Sequence, residues 1–150
     1  AGQSIFIPSG RLHAIGAGML IYEIQQNSDT TYRVFDWNRV GLDGRPRDLH
    51  VRESLASIDF TDYEPSMDQP EGQNLATCQH FKVDFLELPP GTTICNPDPD
   101  RFSIITVTNG EIQDKRGNVY STGDFLLLPR GPVALDAVKS TSLLQTTLPH

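Results

Sequence analysis

The side chain with the clearest capacity for chemistry is His13, which lies three positions after a Pro8-Ser9-Gly10 turn. Proline fixes φ and glycine accepts left-handed values, so this tripeptide predicts a tight corner after the apolar run 4–7. Such a corner aims the imidazole from a rigid frame toward the inside of a barrel. Neutral imidazole suits Zn²⁺, which takes about four ligands. The alternative is a core histidine bonded to a backbone carbonyl, and spacing alone leaves both open.

Charged side chains on the next two predicted strands could share a site with His13. An arginine such as Arg33 that projects into a barrel cavity is costly unless it meets an anion. A structural salt bridge to Glu23 or Asp29 would also satisfy it. Glu23 lies on a polar strand face, which lines a pocket only if it is turned inward. Asp29 is suited to capping the neighbouring turn.

Three further arginines surround a glycine-containing loop. Arg39, Arg45 and Arg47 could hold a phosphate group through bidentate contacts. The alternative is a solvated loop held by Asp43 and Asp48. We favour the solvated loop for Arg45, and Arg39 stays open.

The two cysteines, Cys78 and Cys95, are too few for a disulfide scaffold. They favour a reducing cytoplasm, although one disulfide between them remains open. Cys78 and His80 share one face of a predicted strand, which suggests a metal site. Two ligands are too few for such a site, so we interpret Cys78 as a small buried hydrophobe.

Short β-type runs alternate with turns rich in Gly, Pro, Asn and Asp, which predicts an all-β fold. The exception is residues 48–59, where Val51, Leu55 and Ile58 recur at helical spacing and Asp48 is a suitable N-cap. Strands are expected over residues 4–7, 19–26, 30–36, 80–88, 102–108, 124–129, 133–136 and 142–148.

Residues 61–74 contain two prolines and four acidic residues, and they predict a linker. The expected domains are therefore 1–60 and 75–149. Within the second, Asn109-Gly110 predicts a type I′ hairpin and residues 116–118 another turn. Its core is expected to contain Phe85, Leu86, Ile104, Ile105, Phe125, Leu127 and Leu144.

The chain contains an internal repeat. Residues 2–10 and 123–131 both read Gly, five residues, then Pro-x-Gly. The copies differ where chemistry would lie, because Ala134 takes the position of His13. The second copy therefore offers no imidazole for a metal.

Composition excludes several classes of partner. The net charge is −7 and the isoelectric point is near 4.9, which argues against nucleic acid. No apolar run approaches the ~18 residues of a membrane span, and neither a signal nor a transit peptide is visible. One or two well-placed arginines could still hold a phosphorylated sugar.

Gly2, five residues, Pro8-x-Gly10, two residues and His13 resemble the second metal motif of the cupin barrels. The longer string PSGRLHAIGAG, with YEIQQNSDTTYRVFDWNRVGLDGRPRDLH, resembles class I mannose-6-phosphate isomerases. The most specific part runs from Glu23 to Arg33 and on through Asp36-x-x-Arg39 to His50.

This resemblance implies a bicupin fold. Residues 1–60 would be the C-terminal half of a metal-binding cupin with one short helix, and residues 75–149 a complete metal-free cupin. The chain opens with Ala1 rather than Met, and we expect it to be a fragment. The family's Gln-x-His and Glu ligands and its lysine near the metal would lie upstream.

The resemblance also implies an activity, the interconversion of mannose 6-phosphate and fructose 6-phosphate through a zinc-stabilised cis-enediol(ate). His13 would hold zinc, weakly in a fragment. Arg33 would stabilise the developing negative charge. Glu23 and Asp29 would face the active site, one of them moving a proton.

Two other functions stay open. One is a non-catalytic, sugar-phosphate-binding or regulatory cupin. The other is an iron oxygenase, which would need a second imidazole near His13. An incomplete first barrel would expose strand edges at residues 4–8 and 30–36, which predicts a homodimer through these edges.

Overall fold

The computed structural model describes residues 3–28, 30–69 and 72–149. Two compact units are present: Ile5–Ser66, here the N-terminal unit, and Met67–His150 with Ala1–Ser4, here the barrel unit. Among the described residues, no helix has both the length and the apolar character needed to cross a membrane. Cys78 and Cys95 are free thiols, so the disulfide between them is not formed.

The described residues of the barrel unit form nine strands in two antiparallel sheets, which confirms the all-β prediction. One sheet has the order β1-β2-β9-β4-β7 and the other the order β3-β8-β5-β6. The strands are β1 (Asn74–Thr77), β2 (Lys82–Leu88), β3 (Thr93–Cys95), β4 (Ser103–Asn109), β5 (Glu111–Asp114), β6 (Val119–Ser121), β7 (Phe125–Leu128), β8 (Ala134–Ala137) and β9 (Thr141–Thr147).

Side chains from both sheets form one core, because alternate residues of each strand point to the same face. The ladder of β4 with β9 pairs Ile105 with Gln145 and Val107 with Leu143. The core contains Leu88, Ile94, Ile105, Val107, Ile112, Leu126, Leu128, Leu135, Ala137 and Leu143.

The predicted core is partly wrong. Ile105 and Leu144 are buried, whereas Phe125 and Leu127 are 63% and 65% exposed. β7 reads Phe-Leu-Leu-Leu, so its sequence does not show which parity faces inward. Pairing with β4 decides it, and Leu126 and Leu128 are the buried residues.

The hairpin predicted at Asn109-Gly110 is also wrong, because β4 and β5 belong to different sheets. Gly110 has φ 91°, and a Cβ built there would lie 2.5 Å from the backbone oxygen of Ser140. Glycine is needed here for a close backbone approach where the chain crosses between sheets. The turn at residues 116–118 is confirmed: it joins β5 to β6, and Gly117 has φ 89°.

The strands predicted over residues 4–7, 19–26 and 30–36 are not formed. The described part of the N-terminal unit has a single isolated β-bridge, between Val40 and Pro46. An extended segment becomes a strand only when a neighbour pairs with its backbone, and apolar periodicity does not supply that neighbour. Met19 and Leu20 accordingly remain 59% and 87% exposed.

The predicted helix is present but shorter, with α1 spanning Val51–Ser57. His50 rather than Asp48 is the N-cap residue, and it makes no side-chain hydrogen bond to the helix. Ser54 is the buried residue of α1. Val51 and Leu55 are exposed, so the predicted apolar face is not covered by the described residues.

Candidate functional site

The predicted corner before His13 is confirmed. The Arg11 N–H donates to the Pro8 carbonyl at 3.2 Å, and Gly10 has φ 92°. The Gly10 carbonyl accepts the Asp59 N–H at 2.9 Å, and the Arg11 guanidinium makes two bonds to the Asp62 carboxylate, at 2.8 and 3.0 Å. The corner is thus attached to the chain just after α1. The first residue of the predicted motif, Gly2, lies outside the described residues.

The His13 ring has a defined hydrogen-bond partner. Nδ1 lies 3.0 Å from the Arg11 carbonyl oxygen. A carbonyl oxygen only accepts, so Nδ1 must carry the proton, and a neutral ring then has its lone pair on Nε2. Histidines that bind metals are commonly held in this way, with the other nitrogen donating to a carbonyl.

His13 therefore suits one coordination position of a zinc ion, but it does not make a site alone. No group of three or more His, Cys, Asp or Glu side chains suited to a metal occurs in residues 3–28, 30–69 and 72–149. This includes Cys78 and His80, where the Cys78 sulfur accepts the His80 N–H at 3.4 Å. A zinc centre that uses His13 needs further ligands from outside these residues.

Arg33 is held through its backbone by His50. The Arg33 N–H donates to His50 Nδ1 at 3.2 Å, and the His50 N–H donates to the Arg33 carbonyl at 2.7 Å. The Arg33 side chain is half-buried, and within the described part of the chain it forms no ion pair with Glu23. Glu23 is exposed, and Asp29 lies outside the described residues.

The segment between Arg33 and His50 doubles back on itself. Val40 bridges Pro46, and the Gly41 N–H donates to the Arg45 carbonyl at 2.7 Å. Arg39 and Arg47 are the residues immediately outside the bridged pair. The fold of this segment therefore brings arginines from both of its arms together.

Asp36 lies at the centre of these cations and is only 8% exposed. Arg47 binds its carboxylate through both Nε, at 2.6 Å, and Nη2. Hydrogen bonding to Arg47 lowers the pKa of Asp36. Burial opposes this, and the charges of Arg47, Arg39 and Arg33 lower the pKa further. We call Arg33, Arg39 and Arg47 around Asp36 the arginine cluster.

Trp37 and Asn38 form a strained turn within the cluster. Both have left-handed backbones, with φ 49° and 55°, and the Arg39 N–H donates to the Asp36 carbonyl at 2.9 Å. Such a conformation is an outlier for a bulky residue and costs about 1–3 kcal/mol. The turn places the Arg39 guanidinium 5.5 Å from the Trp37 ring centroid, a cation–π distance. Phe35 packs edge-on against Trp37, with the ring centroids 5.4 Å apart.

The arginines were predictable from the sequence, but the carboxylate that organises them was not. Asp43 and Asp48 were expected to hold the loop, whereas Asp36 binds Arg47 and Asp43 accepts the Arg45 backbone N–H at 3.1 Å. The support of Arg39 by Trp37 was not predicted either. The only available signal was the proximity of an aromatic residue and an aspartate to Arg39 in sequence, which does not determine a contact.

The chain is similar in sequence to known mannose-6-phosphate isomerases. The chain is 34% identical over 140 residues to mannose-6-phosphate isomerase ManA of Bacillus subtilis, covering 87% of the chain and 44% of ManA. It is 53% identical over 55 residues to mannose-6-phosphate isomerase of Streptococcus mutans, covering 37% of the chain and 17% of that protein. The chain therefore spans less than half the length of the relatives it matches. The sequence matches no known family profile.

The crystal structure of the mannose 6-phosphate isomerase from Bacillus subtilis superimposes with a TM-score of 0.61 at 21% identity, covering 82% of this chain and 42% of that chain. Two antiparallel sheets around one core, together with this likeness, show an all-β cupin fold. By sequence the chain is a relative of the mannose-6-phosphate isomerases and corresponds to their C-terminal portion.

Proposed function

We propose that this chain is the C-terminal portion of a sugar-phosphate isomerase that interconverts mannose 6-phosphate and fructose 6-phosphate. The observation that supports this most directly is the 34% identity to ManA over 87% of the chain. The reaction moves a proton between C2 and C1 of the open-chain sugar, and negative charge develops on the oxygens of the enediolate. It requires a group that holds this charge and a group that moves the proton.

Arg33 is proposed to stabilise the developing charge. Arg33 is a half-buried residue whose guanidinium has no ion pair with a described carboxylate, while the bonds to His50 fix its backbone. A positioned cation of this kind stabilises an enediolate more strongly than water does. Glu23 and Asp29 are the proposed proton-transfer residues. Zinc, with His13 as one ligand, would polarise the C1 and C2 oxygens when bound.

Arg33→Ala tests this assignment in the protein that carries this chain, with fructose 6-phosphate formation from mannose 6-phosphate as the readout. Removing one preorganised charge donor should lower kcat by about 10²–10³-fold. Arg45→Ala is the matched control, since Arg45 is exposed on the loop and its hydrogen bonds to other described residues are made by its backbone. Unchanged turnover in Arg33→Ala would remove Arg33 from the reaction.

The second candidate is a sugar-phosphate-binding or regulatory cupin without turnover. The observation in its favour is that the described residues supply His13 without a set of metal ligands. It predicts saturable binding of mannose 6-phosphate with no fructose 6-phosphate formed, even when zinc is added in excess. Turnover that depends on zinc would exclude it.

A further inference from the structure

His50 binds the backbone of Arg33 through both its imidazole and its own backbone. The Arg33 N–H donates to His50 Nδ1 at 3.2 Å, and the His50 N–H donates to the Arg33 carbonyl at 2.7 Å. In an antiparallel ladder two residues exchange both bonds through their backbones, whereas here the imidazole supplies one of the acceptors. Within residues 3–28, 30–69 and 72–149, His50 is the only hydrogen-bond partner of Arg33. The placement of Arg33 therefore depends on one histidine.

The bond also defines the state of the His50 ring. A backbone N–H only donates, so Nδ1 must carry a lone pair, and the proton of the neutral ring lies on Nε2. His50 is half-buried, and the Tyr32 ring lies tilted against it with the ring centroids 6.0 Å apart. The imidazole is thus held in place and used as an acceptor for one backbone N–H.

The same histidine connects Arg33 to the corner before His13. His50 is the N-cap residue of α1. Two residues after the end of α1, the Asp59 N–H donates to the Gly10 carbonyl at 2.9 Å. The helix is therefore bonded to Arg33 at its start and to the corner that carries His13 just after its end. One short helix thus relates two of the proposed site residues to each other.

We propose that His50 is the positioning residue for Arg33. By fixing the Arg33 backbone against α1, it sets the direction from which the guanidinium approaches the enediolate oxygens. The role of Arg33 in holding this charge rests on the proposed function, whereas the contact with His50 does not. Stabilisation by a preorganised charge depends closely on its position, and a displacement of about 1 Å can lower a rate by about 10²-fold.

Three variants separate the acceptor role of His50 from helix capping. His50→Ala removes the acceptor. His50→Asn keeps it, because Asn Oδ1 and His Nδ1 are both attached to Cγ. His50→Ser provides as good an N-cap as Asn does, but its hydroxyl lies one bond short of the position of Nδ1. Capping alone would make the Asn and Ser variants equivalent, whereas the positioning role predicts that only Asn replaces the histidine.

Hydrogen exchange of the Arg33 amide, in the protein that carries this chain, measures the contact itself. Exchange should be faster by about tenfold in His50→Ala and His50→Ser, and close to the wild-type rate in His50→Asn. The Gly41 amide, which donates to the Arg45 carbonyl at 2.7 Å, is the internal control and should not change. Unchanged exchange at Arg33 in His50→Ala, or equal acceleration at Gly41, would overturn the inference whether or not the protein is active.

Turnover of mannose 6-phosphate tests what the contact does. His50→Ala and His50→Ser should lower kcat by about 10–10²-fold with KM little changed, because the displaced charge acts in the transition state. His50→Asn should keep most of the wild-type kcat. In an Arg33→Ala background the same changes at position 50 should have no further effect, since His50 acts through Arg33. A further loss in that background would contradict the positioning role.

The same measurements distinguish failure of this inference from failure of the proposed function. If Arg33→Ala turns over as the wild type does, the proposed role of Arg33 is wrong, and the positioning role fails with it. If Arg33→Ala loses turnover while His50→Ala keeps it, the positioning role alone is wrong and the proposed function stands.

Discussion

A single buried carboxylate organises the most highly charged part of the N-terminal unit. Asp36 accepts two hydrogen bonds from Arg47, and the same carboxyl feels the charges of Arg39 and Arg33. Together these interactions hold the pKa of Asp36 below its ordinary value of 3.8, although burial opposes them. A carboxyl with a lower pKa in the folded state than in the unfolded state stabilises the fold wherever it is ionised in both.

Asp36→Asn should therefore lower the melting temperature at neutral pH by several degrees, since Arg47 loses its partner. The stabilisation by Asp36 is complete above its unfolded-state pKa and is lost as the pH falls from about 3.8 through the lower folded-state pKa. The difference in melting temperature between wild type and Asp36→Asn should shrink over the same range. Thermal unfolding between pH 2 and pH 7, about the span of the titration, measures both effects.

Asp43→Asn is the control for this prediction. Asp43 is exposed and accepts only a backbone N–H from its own loop, that of Arg45. Its replacement should change the melting temperature much less. Equal losses in the two variants would show that the Asp36–Arg47 pair has no special role.

At the scale of elements, glycine positions determine where the barrel chain turns. Gly110 and Gly123 both have left-handed backbones, with φ 91° and 99°. A Cβ at Gly110 would lie 2.5 Å from both the Ser140 oxygen and Thr141 Oγ1, whereas nothing lies within 4 Å of a Cβ at Gly123. A side chain at either position would adopt an unfavourable left-handed backbone conformation. At Gly110 alone it would also clash with neighbouring atoms.

Gly123→Ala should therefore cost about 1 kcal/mol of unfolding free energy, the cost of the left-handed conformation. Gly110→Ala should cost about 1–3 kcal/mol more, because the buried backbone at Thr141 must move. Urea unfolding of both variants measures the difference. If both variants lost the same unfolding free energy, the backbone around Gly110 would have room for a methyl group.

The sequence pattern predicted the strands of the barrel unit but not the structure of the N-terminal unit. Alternating or continuous β-type runs with flanking turns located β2, β4, β7, β8 and β9, because these strands find neighbours within the barrel unit. The same signal failed over residues 19–26 and 30–36, since residue pattern reports propensity and not the presence of a pairing strand. The corner before His13 was predictable because Pro and Gly act locally. The Asp36–Arg47 contact was not, because it depends on how the whole segment folds back.

At the scale of the whole molecule, the N-terminal unit exposes large apolar side chains that lie close together in sequence. In the N-terminal unit, Leu12, Met19 and Leu20 are 62%, 59% and 87% exposed. Large apolar side chains exposed close together in sequence favour association, and unpaired extended backbone adds to that tendency. The strand edges predicted at residues 4–8 and 30–36 are not formed as ladders, and the Arg33 backbone is already hydrogen-bonded to His50. The exposed apolar side chains are therefore the main reason to expect association.

We therefore expect this chain to self-associate through the N-terminal unit, with a dimer as the smallest species. Light scattering coupled to size exclusion should show a mass that rises with concentration. Leu20→Glu should shift the equilibrium toward monomer, because burying the new carboxylate in an apolar contact is costly. Leu127→Glu, at an exposed position of the barrel unit, should leave the mass unchanged. A monomer at the highest concentration would contradict self-association, and a shift caused by Leu127→Glu alone would place the contact in the barrel unit.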